Sequence, residues 1–368
     1  MMKDVLLLTG NVINYFAGGN TSKGFYSLFE SNLANLERLF ILKGGPGTGK
    51  SHLIKRVGEA WKAKGYSLEY MYCSSDKNSV DGIIIRELAV GIVDGTKPHV
   101  IEPKFPGVID DYVNLGDAWD AGKLRKKKED IISLTKQVNL AFQSAYHLFQ
   151  EAHVFHNKRK QRISLALNGD KMKQLTERLV EAIFKGQTNV RTAEIKHRFH
   201  GANTPTGPYS FLEELVEPIN KRLILTGRPG TGKSTIIKRL ALEAELRGFD
   251  AEAYHCGFEP DSIDLLIVRE LDAAILANKH PYELQPNRKS DEVIDMEKEV
   301  LDLHGCDGDR SLIHAYEEKM HEGFASLAKA KTLRDELEKY YMAAMDFRKT
   351  TAIRQSILKE IEQIEKRQ

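Results

Sequence analysis

Cysteine is scarce: Cys73, Cys256 and Cys306 are the only thiols in 368 residues. Three thiols make no disulfide framework, and without a C-x-x-C pair no zinc site is expected. Cys73 and Cys256 close equivalent predicted strands and read as small buried hydrophobes. Long apolar runs are missing too; none approaches the roughly 20 residues of a membrane span. The Val-Leu-Leu-Leu run inside Met1–Gly10 is too short for a secretory signal and reads as a strand, so a cytoplasmic location and no membrane partner are expected. Charge of one sign is also lacking. A net charge of +2 argues neither for nor against nucleic acid, and 29% charged residues suits a soluble globular protein.

Glycine and proline vanish from two windows, Lys123–Asn168 and Phe324–Gln368. In the first, Ile131, Leu134, Val138, Phe142, Ala145, Phe149 and Ala152 recur at three- and four-residue spacing. In the second, Leu333, Leu337, Tyr340, Ala344 and Phe347 do the same. Both windows predict long amphipathic helices, and Met172–Phe184 predicts another. The basic stretches Lys123–Lys128 and Lys158–Arg162 hold few aromatics. They read as solvated helix ends, with nucleic-acid contact as the alternative.

What the chain does have is a repeat. GGPGTGKS at Gly44–Ser51 returns as GRPGTGKS at Gly227–Ser234, and both satisfy G-x-x-x-x-G-K-[ST], the phosphate-cradling P-loop. With the offset of 183 held, 17 of 36 positions from Phe16 to Ser51 are identical without a gap. The register continues through Cys73/Cys256, Asp81/Asp264 and Arg86/Arg269. A duplicated domain is expected rather than a borrowed loop.

Each copy predicts an α/β core. A helix is expected around Phe25–Leu36 and Tyr209–Pro218. A short buried strand, Leu39–Leu42 or Leu223–Leu225, then flows into the glycine loop. A helix starts at the Lys-Ser pair and stops near Gly65 or Gly248. Strands follow at Ser67–Cys73 and Ala251–Cys256, and further apolar runs at Gly82–Ile85, Leu265–Val268 and Ala89–Val93. That spacing predicts a parallel sheet flanked by helices, each copy followed by long helical arms. The expected domains are 1–185 (nucleotide core 1–122, arm 123–185) and 199–368 (core 199–305, arm 306–368), with 186–198 as linker.

The loop residues carry the chemistry. Glycines without Cβ let backbone N–H groups curl around phosphate, and a helix N-terminus adds its dipole. Candidate nucleotide contacts are Gly44, Gly45, Pro46, Gly47, Thr48, Gly49, Lys50, Ser51 and His52. The second set is Gly227, Arg228, Pro229, Gly230, Thr231, Gly232, Lys233, Ser234 and Thr235. Lys50 and Lys233 would reach the β- and γ-phosphates, and the Ser51 and Ser234 hydroxyls would ligate Mg²⁺.

GxPGTGKS before a helix resembles the P-loop NTPases, particularly the ATPase branch with AAA+ and RecA-like proteins. Taken whole, the chain is similar to a bacterial family of tandem P-loop ATP-binding proteins. The resemblance implies ATP, Mg²⁺ and a core sheet of about five strands, and says little about the arms. The leading function is a Mg²⁺-dependent ATPase acting as a switch or motor on an unknown protein or nucleic-acid partner through the arms. A homo-oligomer or an intramolecular pseudo-dimer of the two halves fits it. The best Walker-B-like run ends at Asp94, the candidate metal-site carboxylate, yet its equivalent is Ala277. Gly95 stands where that family carries a catalytic Glu. Asp81 and Asp264 are further catalytic candidates, with helix capping as the competing role. Arg86 and Arg269 are expected in ion pairs, with stabilisation of transferred charge, in the manner of arginine fingers, as the alternative, and His99, facing Tyr282 across the repeat, in a structural or solvated role. Asn20-Thr21 and Asn203-Thr204 are read as turn or capping residues, with base contact as the alternative. A non-hydrolysing ATP-binding regulator and a small-molecule or nucleotide kinase are the competing functions.

Overall fold

The computed structural model describes residues 10–302 and 310–367. Cys306 and all but the last residue of the Met1–Gly10 strand lie outside them. The chain is α/β, and its sheet strands are mostly parallel. It divides into two compact units. Unit one takes the described residues up to Gly18, then Leu33–Gln143, then Ser326 onward; unit two takes Gly19–Asn32 and the described part of Ser144–Ala325.

From the N-terminus come β1 (Val12–Phe16), a hairpin of β2 (Gly18–Thr21) and β3 (Gly24–Ser27), and one helical turn, α1 (Phe29–Asn32). The helix expected over Phe25–Leu36 is therefore mostly absent. Gly24 at φ 86° turns the chain back into the hairpin, a conformation open to glycine. Next are β4 (Arg38–Lys43), helix α2 (Lys50–Ala63), β5 (Leu68–Cys73), β6 (Asp76–Ile85), β7 (Val90–Asp94) and β8 (Asp110–Asn114).

Unit one's strands lie in the order β1-β5-β6-β7-β4-β8. All neighbours are parallel except around β6, which runs antiparallel to β5 and to β7. The parallel sheet expected from the spacing is thus parallel except at β6. Only Ser74 and Ser75 separate β5 from β6, and so short a link cannot return a chain for parallel pairing. Leu53, Ile54, Val57 and Trp61 of α2 are buried on Phe40, Leu42 and Ile83 of the sheet. Each such side chain contributes about 1.5–3 kcal/mol.

The middle of the chain supplies α3 (Ala121–Arg125), α4 (Lys128–Ser164) and α5 (Gly169–Phe184). α4 is the long helix that the first glycine-free window predicted, and α5 the one predicted over Met172–Phe184. Then come β9 (Ile195–Phe199), a second hairpin of β10 (Gly201–Thr204) and β11 (Gly207–Ser210), α6 (Leu212–Val216), β12 (Lys221–Thr226), α7 (Lys233–Leu246), β13 (Ala251–His255), β14 (Ile263–Val268), β15 (Ala273–Ala277) and β16 (Asp291–Asp295). Unit two's order, β9-β13-β14-β15-β12-β16, matches unit one strand for strand, with β14 as the antiparallel member. Tyr209 and Ser210, expected on a helix, pair with β10 instead. The chain closes with α8 (Met296–Val300), α9 (Arg310–Ala344) and α10 (Phe347–Glu365).

The units do not follow chain order, so the domain boundaries expected at 185 and 199 are not the ones the structure draws. The division falls inside α4 and again inside α9. The end of α4 and all of α5 belong with the second core, where Ile163, Leu175, Leu179 and Ile183 are buried. The end of α9 and all of α10 belong with the first core, where Ile357 and Ile361 are buried. Among the described residues no helix is long and apolar enough to cross a membrane.

Candidate functional site

In unit one the apolar strand β4 delivers the chain into the glycine loop, and α2 begins at Lys50. Gly47 (φ 70°) and Gly49 (φ 89°) are left-handed, which closes the loop tightly enough to aim its backbone inward. No side chain caps the first turn of α2, so its N–H groups are not claimed by a capping side chain. Thr48 Oγ1 donates to Gly45 O at 2.9 Å and braces the loop. Lys50 Nζ donates to Gly44 O (3.0 Å) and Gly45 O (2.8 Å), and lies 3.6 Å from Asp94 Oδ2. Burial lowers the Lys50 pKa against the pull of Asp94. Ser51 Oγ accepts the Val80 N–H at 3.0 Å.

Asp94 ends β7, directly beside Leu42 of β4 in the sheet register. It accepts from Thr96 N (2.9 Å) and Thr96 Oγ1 (2.6 Å). Asp81 of β6, Asp94 and His99 are all buried and each bring one ligand atom within 4.8 Å of the others. Burial raises the Asp81 pKa; His99 opposes that and Asp94 adds to it. Two carboxylates and an imidazole, with the Ser51 hydroxyl close by along the same cavity wall, make a donor set that fits a divalent cation: hard oxygens for Mg²⁺, with the ring nitrogen widening the choice. The arm completes the wall. Lys331, Arg334 and Glu338 of α9 line the same cavity, which holds about 310 Å³ and also takes in Pro46–His52, Asp81 and Asp94. Lys331 reaches Asp76 at 3.5 Å. A Cβ at Gly47 would stand 2.9 Å from Glu338 O, so α9 seats on the loop only because that residue is glycine.

Unit two repeats the frame and changes the contents. Gly227, Gly230 and Gly232 have φ of 123°, 96° and 85°. Lys233 Nζ donates to Gly227 O, to Arg228 O (2.9 Å) and to Thr231 Oγ1 (3.2 Å), and Ser234 Oγ accepts the Ile263 N–H (2.9 Å). Burial and the nearby Lys279 bring the Lys233 pKa down to about 8. Arg228, a candidate nucleotide contact, turns away onto Glu297: its guanidinium and its own N–H all bond that carboxylate. Asp264 pairs with Lys279 at 2.8 Å. Burial pushes Asp264 up, but the Lys279 ammonium prevails and holds it at about 2. Ala277 offers no carboxylate. This donor set does not fit a divalent cation: of the positions equivalent to Asp81, Asp94 and His99 only Asp264 keeps a carboxylate, and it already holds an ammonium. The cavity, about 410 Å³, is lined by Pro229, Gly230, Gly232–Thr235, Asp264 and Ala277, and by His156 and Lys160 of α4. Lys160 O approaches Gly230 so closely that a Cβ there would stand 2.4 Å away.

The remaining expected residues sort cleanly. Arg86 pairs with Glu69 (3.1 Å) and Arg269 with Glu252 (2.8 Å), as ion-pair partners. Thr21 and Thr204 hydroxyls donate to Gly24 O and Gly207 O across their hairpin turns. Asn20 and Asn203 each donate to the other's backbone carbonyl, at 3.0 and 2.8 Å. Those four are turn and hairpin residues. Cys73 and Cys256 are buried, and burial raises both thiols, Cys256 to about 11. Sequence reasoning missed Arg334, Lys331, Lys160 and Lys279, and gave His99 only a structural or solvated role. The signal for Lys279 was present: at the repeat offset it faces Thr96. No signal could place Arg334, because its helix follows the other core in the chain.

No family profile, curated protein or solved structure matches the chain.

Proposed function

We propose that the chain is a duplicated P-loop protein that binds ATP at both glycine loops and hydrolyses it, with Mg²⁺, at the first. The observation that carries this reading is the uncapped helix start behind a pair of left-handed glycines, with a buried lysine folded onto the loop and a cavity in front of it, present in both units. Backbone N–H groups, a helix dipole and one lysine are what a polyphosphate needs. On nucleotide arrival Lys50 would exchange the Gly44 and Gly45 carbonyls for β- and γ-phosphate oxygens. Ser51, Asp81 and Asp94 would hold Mg²⁺, which supplies charge neutralisation across the phosphates when bound. Arg334, whose pKa is raised by Cys73, Glu338, Asp81 and Asp94 despite its burial, stays charged at the cavity wall and would meet charge developing on a transferred phosphoryl group. The helix seated on the loop would feel nucleotide entry directly, which suits a switch acting on a protein or nucleic-acid partner.

A second reading, an ATP-binding regulator with little turnover, is favoured by one observation. Gly95, beside Asp94, has no side chain to position water, and a Cβ there would stand 2.4 Å from Ile41. Binding of labelled ATP to wild type, Lys50→Ala and Lys233→Ala tests the shared part of both readings. Phosphate release, with and without nucleic acid, separates them. Retention of ATP by neither loop at millimolar concentration refutes both.

A further inference from the structure

The two cavities carry opposite charge. Around the first loop stand three cations, Lys50, Lys331 and Arg334, against four carboxylates, Asp76, Asp81, Asp94 and Glu338. Around the second stand four cations, Lys160, Lys233, Lys238 and Lys279, against two carboxylates, Glu259 and Asp264. His156 adds no charge at neutral pH, because burial lowers it to about 4. By formal charge the first lining is thus net negative by one and the second net positive by two. A triphosphate, with about four negative charges at neutral pH, meets net repulsion in the first unless a dication comes with it. In the second it meets attraction without one.

Residue by residue the exchange has one theme. Asp94 is replaced by Ala277, which removes a ligand oxygen. Thr96, whose hydroxyl bonds Asp94, is replaced by Lys279, whose ammonium bonds Asp264 instead. His99 is replaced by Tyr282, whose hydroxyl is spent on Ala202 O at 3.1 Å. Asp264 Oδ2 accepts no hydrogen bond; the His200 ring nitrogen Nε2 lies 3.8 Å from it. Lys279 shares one cavity wall with Lys233 and Ser234. The ammonium therefore stands where unit one gathers its metal donors.

We propose that unit two binds a nucleoside triphosphate without a divalent cation, the Lys279 ammonium serving as a built-in counter-charge, while unit one requires the dication. The inference rests on the triphosphate reading above. It makes the second loop a standing nucleotide site with no metal to activate chemistry, and the first loop the one that turns over.

Labelled ATP is titrated in excess EDTA, and again in excess MgCl₂, against two full-length variants. Lys50→Ala leaves the second loop intact, and Lys233→Ala leaves the first. The expected result is that Lys50→Ala binds within about threefold of its Mg²⁺ affinity in EDTA, while Lys233→Ala loses about tenfold or more. Equal loss by both variants overturns the inference and leaves the triphosphate reading standing. No binding by either variant in either condition overturns both. In the Lys50→Ala background, Ala277→Asp with Lys279→Thr is expected to make the second loop Mg²⁺-dependent by about tenfold, and its binding in MgCl₂ shows that it folds. Unchanged EDTA binding by that protein shows that Lys279 is not the counter-charge and overturns the inference.

Discussion

Lys279→Met removes the ammonium and keeps most of the side-chain volume. It leaves Asp264, 3% exposed, with no ion-pair partner within hydrogen-bond reach. Two estimates bound the cost. Removing one member of a buried pair costs about 3–5 kcal/mol, because the survivor is an uncompensated charge. From linkage, a carboxyl drawn from its ordinary 3.8 to about 2 gives about 2 kcal/mol at neutral pH. The second figure is smaller because it is net of the burial that opposes ionisation. The sign with pH follows. The folded pKa is depressed, so this stability is present above about pH 4 and is lost as pH falls towards 2. In the variant only His200 is left to oppose burial, so Asp264 rises from its depressed value. The destabilisation is then largest at neutral pH and shrinks as the carboxyl takes up a proton. Both tryptophans, Trp61 and Trp119, lie in unit one, so fluorescence is the wrong probe. Amide hydrogen exchange in β14 and β15 reads the right unit. A loss of about 2–5 kcal/mol of opening free energy at pH 7, partly recovered by adding Asp264→Asn, is expected. Unchanged protection at pH 7, or a loss that grows on acidification, would refute the reasoning.

Other expected outcomes follow from the same geometry. Lys50→Ala removes more phosphate release than Lys233→Ala, because only the first loop has Asp94 at its strand end; equal losses count against the asymmetry. Asp94→Ala, which imitates unit two, lowers turnover by about 10²-fold or more while ATP binding in MgCl₂ survives at the second loop, measured by phosphate release and dialysis. Gly230→Ala forces a Cβ to 2.4 Å from Lys160 O at φ 96° and costs about 1–3 kcal/mol, read as faster exchange in the last turns of α4. Arg222→Met takes from Asp291 the guanidinium that joins it by two bonds of 2.7 Å, leaves it the N–H groups of Asn287 and Arg288, and lowers β16 protection by about 1.5–3 kcal/mol.

The glycine loops, the strands feeding them and the helices starting at Lys50 and Lys233 were legible because they are local: left-handed glycines and an apolar run specify them within a dozen residues. The antiparallel β6 was legible only in part. Its apolar run, Gly82–Ile85, stood out, but the two-residue link Ser74–Ser75 that dictates its direction did not. The hairpins at Gly24 and Gly207 hid behind residues that read as helix. Lys279 and His99 acquire meaning only when β6 and β7, or β14 and β15, are placed side by side. Arg334 and Lys160 lie further out of reach, since periodicity shows that a helix exists and says nothing of the surface on which it rests.

That last point bears on how the molecule can be dissected. A cut in the Gly186–Thr192 segment looks natural from the repeat, yet it would part each cradle from the helix lying across it. The N-terminal fragment would hold Gly47 without Glu338, and the C-terminal fragment Gly230 without Lys160. Each would also leave an apolar seam bare, Leu53 and Val57 without Ile357 in one, Ile236 and Leu240 without Leu175 and Leu179 in the other. Neither fragment is a smaller copy of the whole; made apart, the two should aggregate, and only together should they restore a pair of finished sites.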